Sequence, residues 1–171
     1  RDLAPALAHY QRAATLAVEQ ALPAVEAADY LAALARAYAR DADFEAARKQ
    51  FEAALALRDD APAWWAQCGE INFTLQRFAR AFDCYHRACE LQPGDTASLI
   101  GAARAALALG REGEAEEKAI SVLRFDPDNT LALIAMGEIF TRRKDFANAV
   151  FAYSRAADRA VDSQLALQAL A

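Results

Sequence analysis

A spacing of 34 residues governs this chain. When the stretches beginning at Ala28, Pro62, Thr96 and Thr130 are superimposed, alanine returns at Ala47, Ala81, Ala115 and Ala149, and a small residue returns at Ala35, Gly69, Ala103 and Gly137. An aromatic ring returns at Phe44, Phe78 and Phe146 and another at Phe51, Tyr85 and Tyr153, while proline closes two of the units at Pro93 and Pro127. A period of this length predicts helical pairs that cannot bury their apolar faces alone and therefore stack on their neighbours. Such a chain is above all a repeated surface.

Composition narrows the fold class and the partners. Alanine dominates the 56% hydrophobic fraction, glycine numbers only six and β-branched residues are scarce, which predicts an all-α fold. A net charge of −5 supplies no basic face for phosphates, so nucleic acid is not expected as a partner. No apolar run nears the ~20 residues that span a bilayer, and no signal-peptide pattern opens the chain. Direct membrane insertion is therefore not expected, and a cytoplasmic location is favoured over a periplasmic one. The start at Arg1 without methionine reads as a piece excised from a longer chain. Cys68, Cys84 and Cys89 form no CxxC pair and are odd in number, which suits a reducing compartment. Cys68 and Cys84 fall at inward-facing offsets and read as small buried apolar residues, with a redox or metal role as the minority alternative.

Each period divides into two helices. In the unit 62–95, the first spans about Ala63 to Leu75 with Trp65, Cys68, Gly69 and Asn72 on one stripe. A break falls at Gln76 and Arg77. The second helix spans about Phe78 to Leu91 with Phe78, Ala81, Tyr85 and Ala88 facing inward, and Pro93 stops it. The complete units are thus 28–61, 62–95, 96–129 and 130–163. Residues 1–27, with Tyr10, Ala13 and Ala17 at second-helix offsets and Pro23 at the end, read as a partial preceding unit or an N-terminal helix. Residues 164–171 carry Leu167, Leu170 and Ala171 at the opening offsets of a further helix or a cap. Asp43 and Asp145 are expected to cap second helices, and Asn129 or Thr130 the first helix of the fourth unit. Antiparallel helices approach closely only where side chains are small, so Gly69 is expected against Ala81 and Gly137 against Ala149.

These offsets resemble the tetratricopeptide repeat, whose pattern is met by Trp65, Cys68-Gly69, Asn72, Ala81, Tyr85, Ala88 and Pro93, with four units in register from Ala28 to Ser163. Asp59 and Val161 stand where proline is usual, and Glu112 where a second-helix aromatic is usual. The resemblance implies a right-handed superhelix of stacked antiparallel helix pairs, an α-solenoid whose first helices line a concave, peptide-binding face. Transferred to this chain, it places Arg36, Arg40, Glu70, Phe73, Ile100, Arg104, Leu107, Leu131, Ile134 and Glu138 on that face. The lysine, asparagine and arginine set with which some members clamp a terminal carboxylate is missing from these offsets. An apolar strip of Phe73, Ile100, Leu107, Leu131 and Ile134 edged by charge suits an amphipathic helix or an extended segment with hydrophobic anchors. Cover by adjacent helices or by a second copy is the competing reading, so self-association stays open. Trp64 reads either as an exposed recognition aromatic or as partly buried, because Trp65 holds the packing offset.

Chemistry for catalysis is sparse. His9 and His86 belong to different units and have no partnered acid or nucleophile, and Cys84 and His86 point apart on their helix. Leu109–Gly113 reads as a turn rather than a phosphate loop. Enzymatic activity, a metal and a cofactor are not expected. The expectation is a non-enzymatic protein-interaction module or assembly scaffold. The alternatives are a bacterial secretion or export helper (a translocator chaperone or an exopolysaccharide-export scaffold) and the substrate-recruiting arm of a multidomain enzyme such as a glycosyltransferase.

Overall fold

The computed structural model describes residues 23–169 together with Ala8, Gln11, Arg12, Thr15 and Leu16, with side chains described as far as Arg159. The readings made for Tyr10, Ala13, Ala17, Leu167, Leu170 and Ala171 lie outside the described side chains. Among the described residues the helices are α1 (Ala24–Arg40), α2 (Phe44–Leu57), α3 (Pro62–Thr74), α4 (Phe78–Leu91), α5 (Thr96–Ala108), α6 (Glu112–Phe125), α7 (Thr130–Arg142) and α8 (Phe146–Ala169). The fold is all-α. Two compact units divide the chain, Arg1–Pro93 with α1 to α4 and Gly94–Ala171 with α5 to α8.

One turn, built four times, makes the pairs. Ala42, Gln76, Gly110 and Lys144 all adopt positive φ, between 58° and 74°, at intervals equal to the sequence period. The N–H that follows each of them reaches back into the preceding helix: Asp43 to the Tyr38 carbonyl (3.0 Å), Arg77 to Asn72 (2.8 Å), Arg111 to Ala106 (2.8 Å) and Asp145 to Phe140 (2.9 Å). This closure satisfies carbonyls that the helix end leaves open and so holds even non-glycine residues in the left-handed region. The helix that follows is then capped. Asp43 accepts from Ala46 N–H at 3.0 Å and Asp145 from Asn148 N–H at 3.3 Å. At the entry to α7 the cap is Asn129, which accepts from Ala132 N–H at 3.1 Å, and Asp95 caps α5 in the same way through Ser98 N–H at 3.0 Å.

Within the first unit, α1 pairs with α2 and α3 with α4, and α3 also packs on α2. Ala28, Ala32, Ala35, Ala47, Phe51 and Ala54 close that core at 0–1% exposure. Gly69 does not find Ala81 as its nearest neighbour. A methyl group placed there would lie 2.9 Å from the ring of Tyr85, so the glycine is the seat of an aromatic. Gly137 seats Tyr153 in the second unit, with 2.6 Å between the ring and such a methyl. The joint at Asp59, which lacks the usual proline, is held by side chains instead. The Trp65 indole donates to the Asp59 carbonyl (2.8 Å), and the Arg58 guanidinium lies 4.0 Å over the Trp64 ring.

In the second unit α5 pairs with α6 and α7 with α8, and α7 also packs on α6. Glu112, at the offset of the missing aromatic, opens α6 and faces Arg143 at 3.5 Å, which also binds Glu116 at 2.8 Å. Asp128 receives both Arg155 and Arg159 at 2.7 Å, and the Arg155 bond, then the Arg159 bond, hold its carboxyl below the ordinary range. Two helix ends depart from the period. α1 begins at Ala24 rather than near Ala28, because Ala24-Val25-Glu26-Ala27 are compatible with helix and Pro23 is the first obstacle. α8 runs unbroken through Val161 to Ala169, where no proline intervenes.

Candidate functional site

The first helices of the first unit, α1 and α3, meet α2 around a cavity of about 280 Å³. Its floor is apolar: Phe51 and Ile71 are buried and Phe44 is half-buried. The space exists because α1 offers only the methyl of Ala39 at that level. Arg36 and Arg40, one helical turn apart on α1, stand exposed at the rim, opposite Glu70 on α3. Neither arginine has an ion-pair partner among the described residues. Glu70 is engaged, accepting from the Tyr85 hydroxyl at 2.6 Å. Gln67 also lines the cavity, and its Oε1 is buried with no hydrogen-bond partner among the described residues. The arrangement can take an apolar side chain on its floor and a carboxylate at its arginine rim.

Of the residues read from the sequence, Arg36, Arg40 and Glu70 therefore converge on one cavity. Phe73 is half-buried and sets its ring edge-on against Phe78, 5.3 Å between centroids, so it is taken up in packing. In the second unit Leu131 and Ile134 are 56% and 42% exposed on α7. Arg104 is exposed on α5, and Glu138 binds Arg142 at 2.6 Å. Ile100 and Leu107 do not belong with them at the surface, being 7% and 3% exposed. Their offsets point inward once the small residues of α5 let neighbouring elements close over them, which corrects the strip expected from the sequence. Of the two readings left open for Trp64 the buried one holds: it joins the core of the first unit with Arg58 over its ring, and Trp65 is half-buried against the same core. Gln67, Phe44, Phe51 and Ile71 were assigned no binding role from the sequence; the small Ala39 facing them is the signal that marks the hollow.

A second cavity in the same unit, about 420 Å³, is lined by Glu52, Leu55, Trp65, Cys68, Arg80 and Cys84. Cys68 and Cys84 are buried, with sulfurs 3.5 Å apart. His86 stacks on Phe82 at 5.9 Å and faces Glu90 at 3.6 Å. Among the described residues no three histidine, cysteine or acidic side chains gather as metal ligands, and no helix is long and apolar enough to cross a membrane.

Residues 28–60 match the family model of the tetratricopeptide repeat. Over 80 residues, 46% of its length, the chain is 34% identical to the protein CTR9 homolog of Arabidopsis thaliana, and it spans 7% of that relative. Among solved structures it is similar to MamA, with a TM-score of 0.83 at 17% identity over 95% of this chain and 91% of that one. It is also similar to YrrB, a tetratricopeptide repeat protein with an unusual peptide-binding site, with a TM-score of 0.81 at 23% identity over 98% and 82%. The first tetratricopeptide repeat domain of Spaghetti (RPAP3), bound to an HSP90 peptide, gives 0.65 at 20% identity over 70% and 95%.

Proposed function

We propose that this chain, whose residues 28–60 match the tetratricopeptide repeat model and whose fold is similar to that of MamA and YrrB, is a non-catalytic binding module that captures a segment of another protein on the first helices of its first unit. The observation that carries this reading is the cavity between α1 and α3, apolar below and edged by two arginines that no described acid neutralises. An apolar side chain of the partner rests on Phe51 and Ile71, and an acidic residue beside it reaches Arg36 and Arg40. YrrB and the Spaghetti domain, both similar in fold, bind peptides, which supports the class of ligand without naming it. The partner segment is amphipathic in this reading, and the charge of the module as a whole, −5, requires that attraction to an acidic segment be local to the α1 rim.

The test is selection of peptides from a random displayed library on the purified chain, followed by titration of the selected peptides. Enrichment of an acidic residue next to leucine, isoleucine or phenylalanine is expected. Arg36→Glu with Arg40→Glu, both at exposed positions, should weaken binding at least tenfold, equivalent to ~1.4 kcal/mol. Ala39→Trp should abolish it by filling the hollow while circular dichroism stays unchanged. Full binding by both folded variants would reject this cavity.

A further inference from the structure

We propose that Cys68 on α3 and Cys84 on α4 are an oxidisable dithiol, a modification site at which a peroxide converts two thiols into a disulfide that joins the two helices of one repeat. Three observations meet there. The sulfurs already lie 3.5 Å apart, so closure to the ~2.05 Å of a disulfide is a local movement of two side chains. The Cys68 sulfur accepts two hydrogen bonds, one from the Cys84 thiol and one from Asn72 Nδ2 at 3.4 Å. Asn72 is itself 1% exposed and held by a bond to the Cys68 carbonyl at 2.8 Å, so its amide is fixed on that sulfur. Finally, both cysteines line the second cavity beside Arg80, which gives a reagent as small as hydrogen peroxide a way to the pair.

The two sulfurs have different parts. Donation from Cys84 draws the Cys68 thiol below its ordinary range, and the same bond together with burial pushes Cys84 up. Cys68, whose sulfur receives both hydrogen bonds, is the attacking thiolate and Cys84 the resolving thiol. Cys68 Sγ attacks one peroxide oxygen, the O–O bond breaks, the departing hydroxide takes a proton to become water, and Cys68 becomes a sulfenic acid. Cys84 Sγ then attacks Cys68 Sγ, the S–O bond breaks and a second water leaves. Two thiols have lost two electrons and two protons, and the peroxide has been reduced to two waters.

Cys89 is an internal control. Trypsin cuts after Arg58, Arg77, Arg80, Arg87 and Arg104, so each cysteine falls in a different peptide. The full chain is treated with hydrogen peroxide, free thiols are blocked with N-ethylmaleimide, and the unreduced digest is weighed. A Cys68 peptide joined to the Cys84 peptide, with Cys89 blocked by maleimide, is the expected result. In Cys84→Ser, a conservative change that leaves Cys68 without its resolving thiol, dimedone should label Cys68. Links that involve Cys89, links only between chains, or no link with Cys68 left as a free thiol would overturn the proposal. So would dimedone labelling of Cys89 alone in a Cys84→Ser chain whose circular dichroism matches the parent.

Discussion

Gly69 and Gly137 occupy the same offset of two units, and each makes room for a tyrosine of the following helix. Their settings differ. Tyr85 is 3% exposed and tied by its hydroxyl to Glu70, whereas Tyr153 is 39% exposed. A methyl at position 69 must displace a ring that has nowhere to go, at a cost of ~1–3 kcal/mol against the ~1 kcal/mol that alanine returns in helix propensity. Gly69→Ala should therefore destabilise by up to ~2 kcal/mol in urea unfolding. Gly137→Ala should be neutral or gain up to ~1 kcal/mol, since Tyr153 can swing outward. Equal losses in both variants would show that the exposure of the seated ring does not decide the cost. The same residue pair marks what could be read in advance. The period revealed that something small belongs at this offset, but whether a methyl or a ring fills the opposite side depends on the reach of a particular side chain. Trp64 and Ile100 are of the same kind: the offset predicts a direction, and burial is then decided by Arg58 in one case and by small neighbours in the other.

At the level of elements the repeat was almost entirely legible, because each helix carries its own start and stop. Proline after α4, acids before α2 and α8, and alanine on every inner face are local signals, and α4 has the bounds they imply. The extra turn at the start of α1 was not legible, since a period says where a unit is homologous to the next and not where helical geometry ceases to be favourable. The cavity was half legible. Its rim is charged and shows at fixed offsets, while its hollow is an absence of volume where three helices meet. The left-handed turns lead to a further prediction. A side chain in that region costs ~1–2 kcal/mol, and glycine gives back ~0.5–1 kcal/mol of that gain through the freedom of its unfolded chain. Ala42→Gly, Gln76→Gly and Lys144→Gly, all exposed, should each raise stability by up to ~1 kcal/mol, and Gly110→Ala should lower it, as measured by thermal melts. A melt that ranks these four in the opposite order would mean that the turns are not held in this geometry.

For the molecule as a whole, the division at Pro93–Gly94 has a functional corollary. Every residue of the proposed peptide site and of the dithiol lies before it. A fragment of residues 1–93 should accordingly bind the selected peptide with the affinity of the full chain and with the same loss on Arg36→Glu and Arg40→Glu. The fragment 94–171 should not compete for it. Peptide binding that survives only in the full chain, with both fragments helical, would place the site elsewhere.

Both tryptophans of the chain, Trp64 and Trp65, sit side by side on α3. Their emission is thus an optical report from the first unit alone, while far-ultraviolet dichroism averages over every helix. Denaturation followed in the two channels distinguishes a chain that melts as one from a chain whose halves part company, without any label. Because Trp65 also borders the cavity of the two cysteines, the proposed oxidation of the pair should change that emission as well.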